Sequence, residues 1–258
     1  MVPWEGLEPS IPCGNAILSR ARIPFRHHGR APSQPTTFSI QLPQAYVTMN
    51  MTMPSTSSVY THCDELDRLP VKNRENWLTE SSLICELLKP NASVLQIGCA
   101  NASRLIDLQR KRPNLHFLGI DIDEALLSDA RRNIAKAEMT IGTKHCDITS
   151  REQCEELGHF DYVLCLNNTL GYIPDEKAAL ANMHLLGKKI LISVYTEQFT
   201  DSLAREYFGV LGLKIQKIEN NRFTFEDFTS VKRYTRKEIQ KWGGTMTKTI
   251  LGSLCTLE

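Results

Sequence analysis

The chain has 258 residues, of which 41% are hydrophobic and 23% charged, and its formal net charge is +1. That composition supplies a full hydrophobic core and excludes a chain too polar to collapse. The balanced charge gives no global electrostatic argument for nucleic acid or a membrane surface, and no apolar run nears the roughly 18 residues of a spanning helix.

The first fifty residues stand apart. They hold seven of the twelve prolines, few acids and no hydrophobic period. Such a segment buries too little apolar surface to offset its ordering entropy. No continuous apolar stretch follows a basic start, as a secretory signal requires. "WEGLEPSIPCGNAILSR" resembles peptides produced when a transfer RNA gene beside a reading frame is translated by mistake. Residues 1–52 are therefore expected to be a disordered leader, with the true start at Met49, Met51 or Met53. The eight cysteines are scattered without a CxxC pair. Cys99, Cys146 and Cys165 lie in or beside apolar strand-like runs and read as buried thiols, which suits a reducing compartment, the cytoplasm.

Regular patterning begins near residue 73. "NRENWLTESSLICELL" places Trp77, Leu83, Ile84, Leu87 and Leu88 near one helical face, and Pro90 ends the helix. "SVLQIG" is a strand and "ASRLIDLQRKR" a helix whose basic end complements its dipole. The strand "LHFLGIDI" and helix "EALLSDARRNIAKA" follow. Next come strand "MTIGTKHCDI", helix "SREQCEEL", strand "FDYVLCL", helix "DEKAALANMHLL" and strand "KKILISVY". The helix "EQFTDSLAREYFGVLG" precedes a further strand, "LKIQKIE". In the tail, "NRFTFEDF" and "TMTKTILGSL" read as strands around a short helix, "TRKEIQKW". Strands alternating with helices about five times call for a mainly parallel sheet covered on both faces.

In such sheets ligands sit beyond the carboxyl ends of the strands, near the reversal of strand order. The turn after the first strand is "GCANAS". Gly98 suits a tight turn there, while Ala100 and Ala102 stand where glycines often sit and are expected to resist positive φ. Asn101 or Ser103 is a candidate helix cap. Asp121, 23 residues past Gly98, ends the second strand, where an acid can accept ribose hydroxyls. Asp147 ends the third strand. Both aspartates also suit a helix cap, and Asp123 suits that role better than Asp121. A fourth strand opens into the polar stretch "NNTLGYIPD".

These four strand ends together resemble a class I S-adenosylmethionine-dependent methyltransferase. "VLQIGCANAS", "GIDID", "CDI" and "FDYVLCLNNTLGYI" resemble its first four motifs, with Gln96 in place of an acid and Ala100 and Ala102 in place of glycines. The resemblance implies a three-layer, doubly wound α/β fold, with a mainly parallel seven-stranded sheet and an antiparallel C-terminal strand pair. It gives residues 53–90 to a pre-core lid and helix and 91–258 to a Rossmann-like core. It implies S-adenosylmethionine as cofactor. The backbone of Gly98, Cys99, Ala100 and Asn101 would pass beside its methionine part. Asp121 would hold the ribose, Ile122 would pack on the adenine, Asp147 and the Ile148 backbone would meet the adenine amino edge, and Asn167 would lie near the methionine end.

A sulfonium is already a strong electrophile, so the protein must mainly align a nucleophile and exclude water, without a metal. The seven histidines offer no HxH or HxxxH pair. Asn168, Thr169 and Tyr172 are candidate substrate contacts, or else a plain polar turn before the next helix. Tyr60 and Trp77 are candidate lid residues, and Trp77 equally suits helix packing. The loop lacks the Asn/Asp-Pro-Pro-aromatic pattern of nucleic-acid base methyltransferases. It resembles loops of small-molecule enzymes, particularly those acting on amines. The basic run "VKRYTRKEIQKW" reads as a solvated face with Trp242 packed inward, or else as a docking surface. The expected function is methyl transfer to a small molecule. The alternatives are a non-catalytic binding module and a protein or RNA methyltransferase.

Overall fold

In the computed structural model, residues 66–227 and 229–258 are described. The proposed leader, the alternative starts and Tyr60 lie outside them. Helix α1 spans Val71–Leu87, followed by β1 (Ser93–Ile97), α2 (Ser103–Lys111), β2 (His116–Asp121) and α3 (Glu124–Lys136). Then come β3 (Ile141–His145), α4 (Arg151–Glu155), β4 (Phe160–Cys165), α5 (Glu176–Leu186), β5 (Gly187–Tyr195) and α6 (Asp201–Val210). The rest is β6 (Ile215–Glu219), β7 (Arg222–Phe225), β8 (Ser230–Lys232), α7 (Arg236–Gln240), β9 (Thr245–Lys248) and β10 (Gly252–Leu257).

Seven strands form one sheet in the order β3-β2-β1-β4-β5-β10-β9. Strands β1 to β5 run parallel, while β10 is antiparallel to both β5 and β9. The expected class I architecture is therefore present. Alternation along β1 serves both layers. Val94 joins the core under α1, α2 and α3, while Leu95 and Ile97 join the core under α4, α5 and α7. Side-chain caps set several helix starts: Asp123 accepts from the Ala125 and Leu126 amides, Asp175 from Ala178 and Thr200 from Leu203.

Two sequence expectations need correction. "NRFTFEDF" does not complete the main sheet. Its strand β7 lies in a separate three-stranded sheet, β6-β7-β8. The stretch "TMTKTILGSLCTLE", read partly as one strand, is instead the hairpin β9–β10. The Thr249 N–H bonds to the Gly252 carbonyl at its turn, 2.9 Å away. A Cβ on Gly252 would strike the Val194 carbonyl, so glycine lets β10 close against β5. Phe223 and Phe225 pack with Phe199 and Phe208 in an aromatic cluster under the small sheet.

The second correction concerns α1. Leu87 is exposed, and the buried stripe is Asn73, Asn76, Trp77, Glu80, Ser81 and Ile84. This face is polar because its partners are polar. Asn76 Oδ1 accepts the Leu251 N–H at 2.9 Å, and Ser81 Oγ donates to Asp107 at 2.7 Å. Glu80 pairs with Arg104 at 3.2 Å. The Arg104 guanidinium also donates to the Trp77 carbonyl and lies 4.4 Å from the Trp77 ring. Helix α1 is thus fastened to the core mainly by hydrogen bonds and one buried ion pair.

Candidate functional site

Parallel register brings the carboxyl ends of β1, β2, β3 and β4 to one edge of the sheet. Ile97 is paired with Ile120 and Cys165, and Asp121 with His145. Strand order reverses between β1 and β4, which opens a crevice at that edge.

The loop after β1 has alternating left-handed residues: Gly98 at φ 62°, Ala100 at 46° and Ala102 at 64°. The expectation that alanine resists positive φ is overturned here. Surrounding bonds hold the conformation. The Cys99 N–H reaches the Ile120 carbonyl at 3.0 Å, and the Ala102 N–H reaches the Cys99 carbonyl at 2.8 Å. The Ala100 N–H reaches Asp121 Oδ2 at 2.9 Å. Ala102, without a side-chain cap, occupies the cap position of α2. Asn101 Oδ1 instead accepts both the N–H and hydroxyl of Ser103, and the Asn101 carbonyl accepts from Asn133 at 3.0 Å. A Cβ on Gly98 would strike Thr169, so the first and fourth strand-end loops touch there. Left-handed alanine costs about 1–2 kcal/mol, against about 0.5–1 kcal/mol of extra chain entropy for glycine. Ala100→Gly is therefore expected to stabilise the fold by about 0.5–1 kcal/mol. A higher urea midpoint at unchanged slope would show it, and a lower midpoint would contradict the strain.

Asp121 is only 9% exposed. Its second oxygen accepts the Asp123 N–H at 3.0 Å. Burial pushes its carboxyl above the usual carboxylate range, opposed by the Asp123 and Ala100 amides. Each oxygen keeps a lone pair for a further donor. Beside it, Ile122 is 63% exposed, an apolar surface at the lip of the crevice. Asp147 is not a helix cap, because Ser150 caps α4. Asp147 Oδ1 instead accepts from the Thr149 N–H and hydroxyl. The Ile148 carbonyl accepts from Asn182 at 2.8 Å.

After β4, Asn167 and Asn168 both take left-handed angles, at φ 54° and 59°. Asn167 faces a small cavity shared with α1. Asn168, an expected substrate contact, is buried, its amide donating to the Lys232 carbonyl and accepting the Tyr195 N–H. It staples the loop to β5 and to the segment carrying β8. Thr169 is half-buried, its hydroxyl on the Leu166 carbonyl, and Tyr172 packs partly into the aromatic cluster. Trp77 is buried, with its indole N–H on Asp107. In the basic tail, Lys232 pairs with Glu176 and Glu238, Arg233 pairs with Asp201, and Trp242 packs inward.

Comparison with known proteins bears on the whole domain that carries this crevice. A family model described as "Methyltransferase domain" matches residues 88–239, more than half of the chain. The chain belongs to the methyltransferase-domain family. It is of the class I, S-adenosylmethionine-dependent kind that the motifs resemble. An uncharacterised protein of Rickettsia prowazekii is 32% identical over 85 residues, 33% of this chain and 15% of that protein. A carboxy-S-adenosyl-L-methionine synthase of Campylobacter hominis is 32% identical over 110 residues, 43% of this chain and 45% of the enzyme. The chain thus spans less than half the length of these curated relatives. A solved protein of Pyrococcus horikoshii shares the fold, with a TM-score of 0.58 at 16% identity, over 79% of this chain and 97% of that one.

Sequence reasoning about this domain missed the polar network behind the crevice. Ser193 Oγ accepts the Asn167 N–H at 3.1 Å and donates to Glu80 at 3.0 Å. The pair Glu80–Arg104 is therefore connected to the Asn167 turn through one serine. The available signal was Glu80 standing between Trp77 and Ile84 at helical spacing, on the face that carries both.

Proposed function

We propose that this chain transfers the methyl group of S-adenosylmethionine to a small-molecule acceptor by direct displacement. The observation that carries the proposal is the left-handed Gly98–Ala102 loop, tied by Asp121 at the reversal of strand order. The donor set suits the cofactor. Asp121 offers acceptors for the ribose hydroxyls, the exposed Ile122 offers a face for the adenine, and Asp147 with the Ile148 N–H offers partners for its polar edge. The loop backbone from Gly98 through Cys99 and Ala100 to Asn101 would hold the methionine part, and Asn167 would face its reacting end.

The bound cofactor supplies an activated methyl group on sulfur. What the chain adds is alignment and dryness. Helix α1 packs beside Asn167 through Trp77, and Thr169 and Tyr172 would border the acceptor side. The Campylobacter relative, a carboxy-S-adenosyl-L-methionine synthase, supports a ligand of the S-adenosylmethionine class. The paired, partly buried Lys232 and Arg233 weigh against a nucleic-acid or protein docking surface in the tail. No helix among the described residues is long and apolar enough to cross a membrane. Incubation with cofactor labelled in its methyl group, together with a fractionated extract of small metabolites, tests the proposal. Label recovered in a small-molecule fraction supports it. Label recovered only in protein or RNA overturns the acceptor class.

A further inference from the structure

A small, partly open cavity of about 20 Å³ lies between α1 and the ends of β4 and β5. That is room for one water or one amino head group. Asn73 and Trp77 line it from α1, Asn167 from the loop after β4, Tyr195 from β5 and Tyr207 from α6. Asn73 is 5% exposed, and its amide oxygen has no hydrogen-bond partner. A buried acceptor left alone is unfavourable, so the cavity is set for a donor. Asn76, beside it, is already used by Leu251 and Glu80.

The opposite wall is aromatic and well supported. Tyr195 stacks on Phe199 with ring centroids 4.1 Å apart and meets Tyr207 edge-on at 6.1 Å. Phe199 in turn packs against Phe208 and Phe223. Among the described residues, no Asp, Glu, His, Lys or Arg lines the cavity. A hydroxyl acceptor needs a base to take its proton. A carboxylate or phosphate acceptor needs a cation against it. An amine that has released its proton to water before entering needs neither: it brings a lone pair for attack and an N–H for Asn73. The cation formed on methylation is then favoured by the aromatic faces.

We propose that the methyl acceptor is the neutral nitrogen of a small amine, seated in this cavity with its N–H on Asn73 Oδ1. The inference rests on the methyltransferase function proposed above. The nitrogen lone pair forms the new N–C bond while the C–S bond breaks and its electron pair stays on sulfur. The sulfonium becomes a neutral thioether, and the methylated ammonium then releases its proton to water.

The test uses the full chain saturated with S-adenosylhomocysteine for binding, and with labelled S-adenosylmethionine for turnover. The probes are ethanolamine, benzylamine and dimethylamine against ethylene glycol, benzyl alcohol and acetate. Amine binding seen by saturation-transfer NMR, with label appearing only in the amines, is the expected result. Asn73→Ala weakens amine binding about tenfold, Asn73→Asp retains it, and neither changes S-adenosylhomocysteine affinity. Methylation of the oxygen probes with the amines inert overturns the amine assignment and leaves the methyltransferase function standing. Cofactor binding with no probe bound, or with Asn73→Ala neutral, also overturns it. Failure of the cofactor itself to bind overturns the function as well.

Discussion

Arg104→Ala is expected to cost about 3–5 kcal/mol of folding stability, the largest effect of any single change considered. Arg104 and Glu80 are almost wholly buried and pair at 3.2 Å. Removing the guanidinium leaves Glu80 in the core without its cationic partner, held by neutral donors such as Asn76 and Ser193, and frees the Trp77 carbonyl. The loss depends on pH. Burial pushes the Glu80 carboxyl above its ordinary 4.5, and Arg104 opposes that push. A carboxyl that binds its proton more tightly folded than unfolded stabilises the fold at pH below its unfolded value. That contribution fades as pH rises through its folded value. Without Arg104 the folded value moves higher still, so the variant's deficit grows from about pH 4.5 upward. Urea titrations at pH 4 and pH 8 check this. A deficit equal at both pH values would contradict a charged Glu80 partner. The network also reaches Asn167 through Ser193, so the surviving folded fraction is expected to bind cofactor more weakly.

Asp121→Ala is expected to weaken S-adenosylmethionine binding by about 1–3 kcal/mol, through lost charge-assisted hydrogen bonds. The structure adds a second cost of similar size. The side chain already holds the Ala100 and Asp123 amides, so its loss leaves two backbone donors unpaired and releases a strained loop. Asp121→Asn separates the two contributions. It keeps one acceptor oxygen and the shape of the turn but lacks the charge. Calorimetric affinity and urea stability measured together would show Asn retaining most stability while losing affinity. An unchanged dissociation constant in Asp121→Ala would remove the residue from the site.

The fold was legible because β1, β2, β4 and β5 are largely apolar runs, each of β1 to β5 is followed by a helix, and Asp123, Ser150, Asp175 and Thr200 mark four of the helix starts. The strand ends that carry Gly98, Asp121, Asp147 and Asn167 followed from that order. Three features were not legible. Ala100 and Ala102 carry no local mark of left-handed backbone, because the loop is held from β2 by Asp121 on the Ala100 N–H and Ile120 on the Cys99 N–H. Hydrophobic periodicity turned α1 by its leucines, whereas the buried stripe is set by Asn76, Glu80 and Ser81 meeting partners far along the chain. Asn168 looked like an exposed polar turn residue, and only the placement of β5 and Lys232 shows both ends of its amide occupied. In each case the deciding partner is distant in sequence, so no local pattern contains it.

The central claim is that the crevice at the β1–β4 reversal holds S-adenosylmethionine. Calorimetric titration of the protein with S-adenosylmethionine, and with its demethylated product, tests it most directly. Micromolar binding of both at a stoichiometry near one is the predicted result, given that alanine keeps the loop geometry usual for glycine. No binding at millimolar ligand, by protein shown to be folded, would contradict the account and mean that the fold is retained without its cofactor.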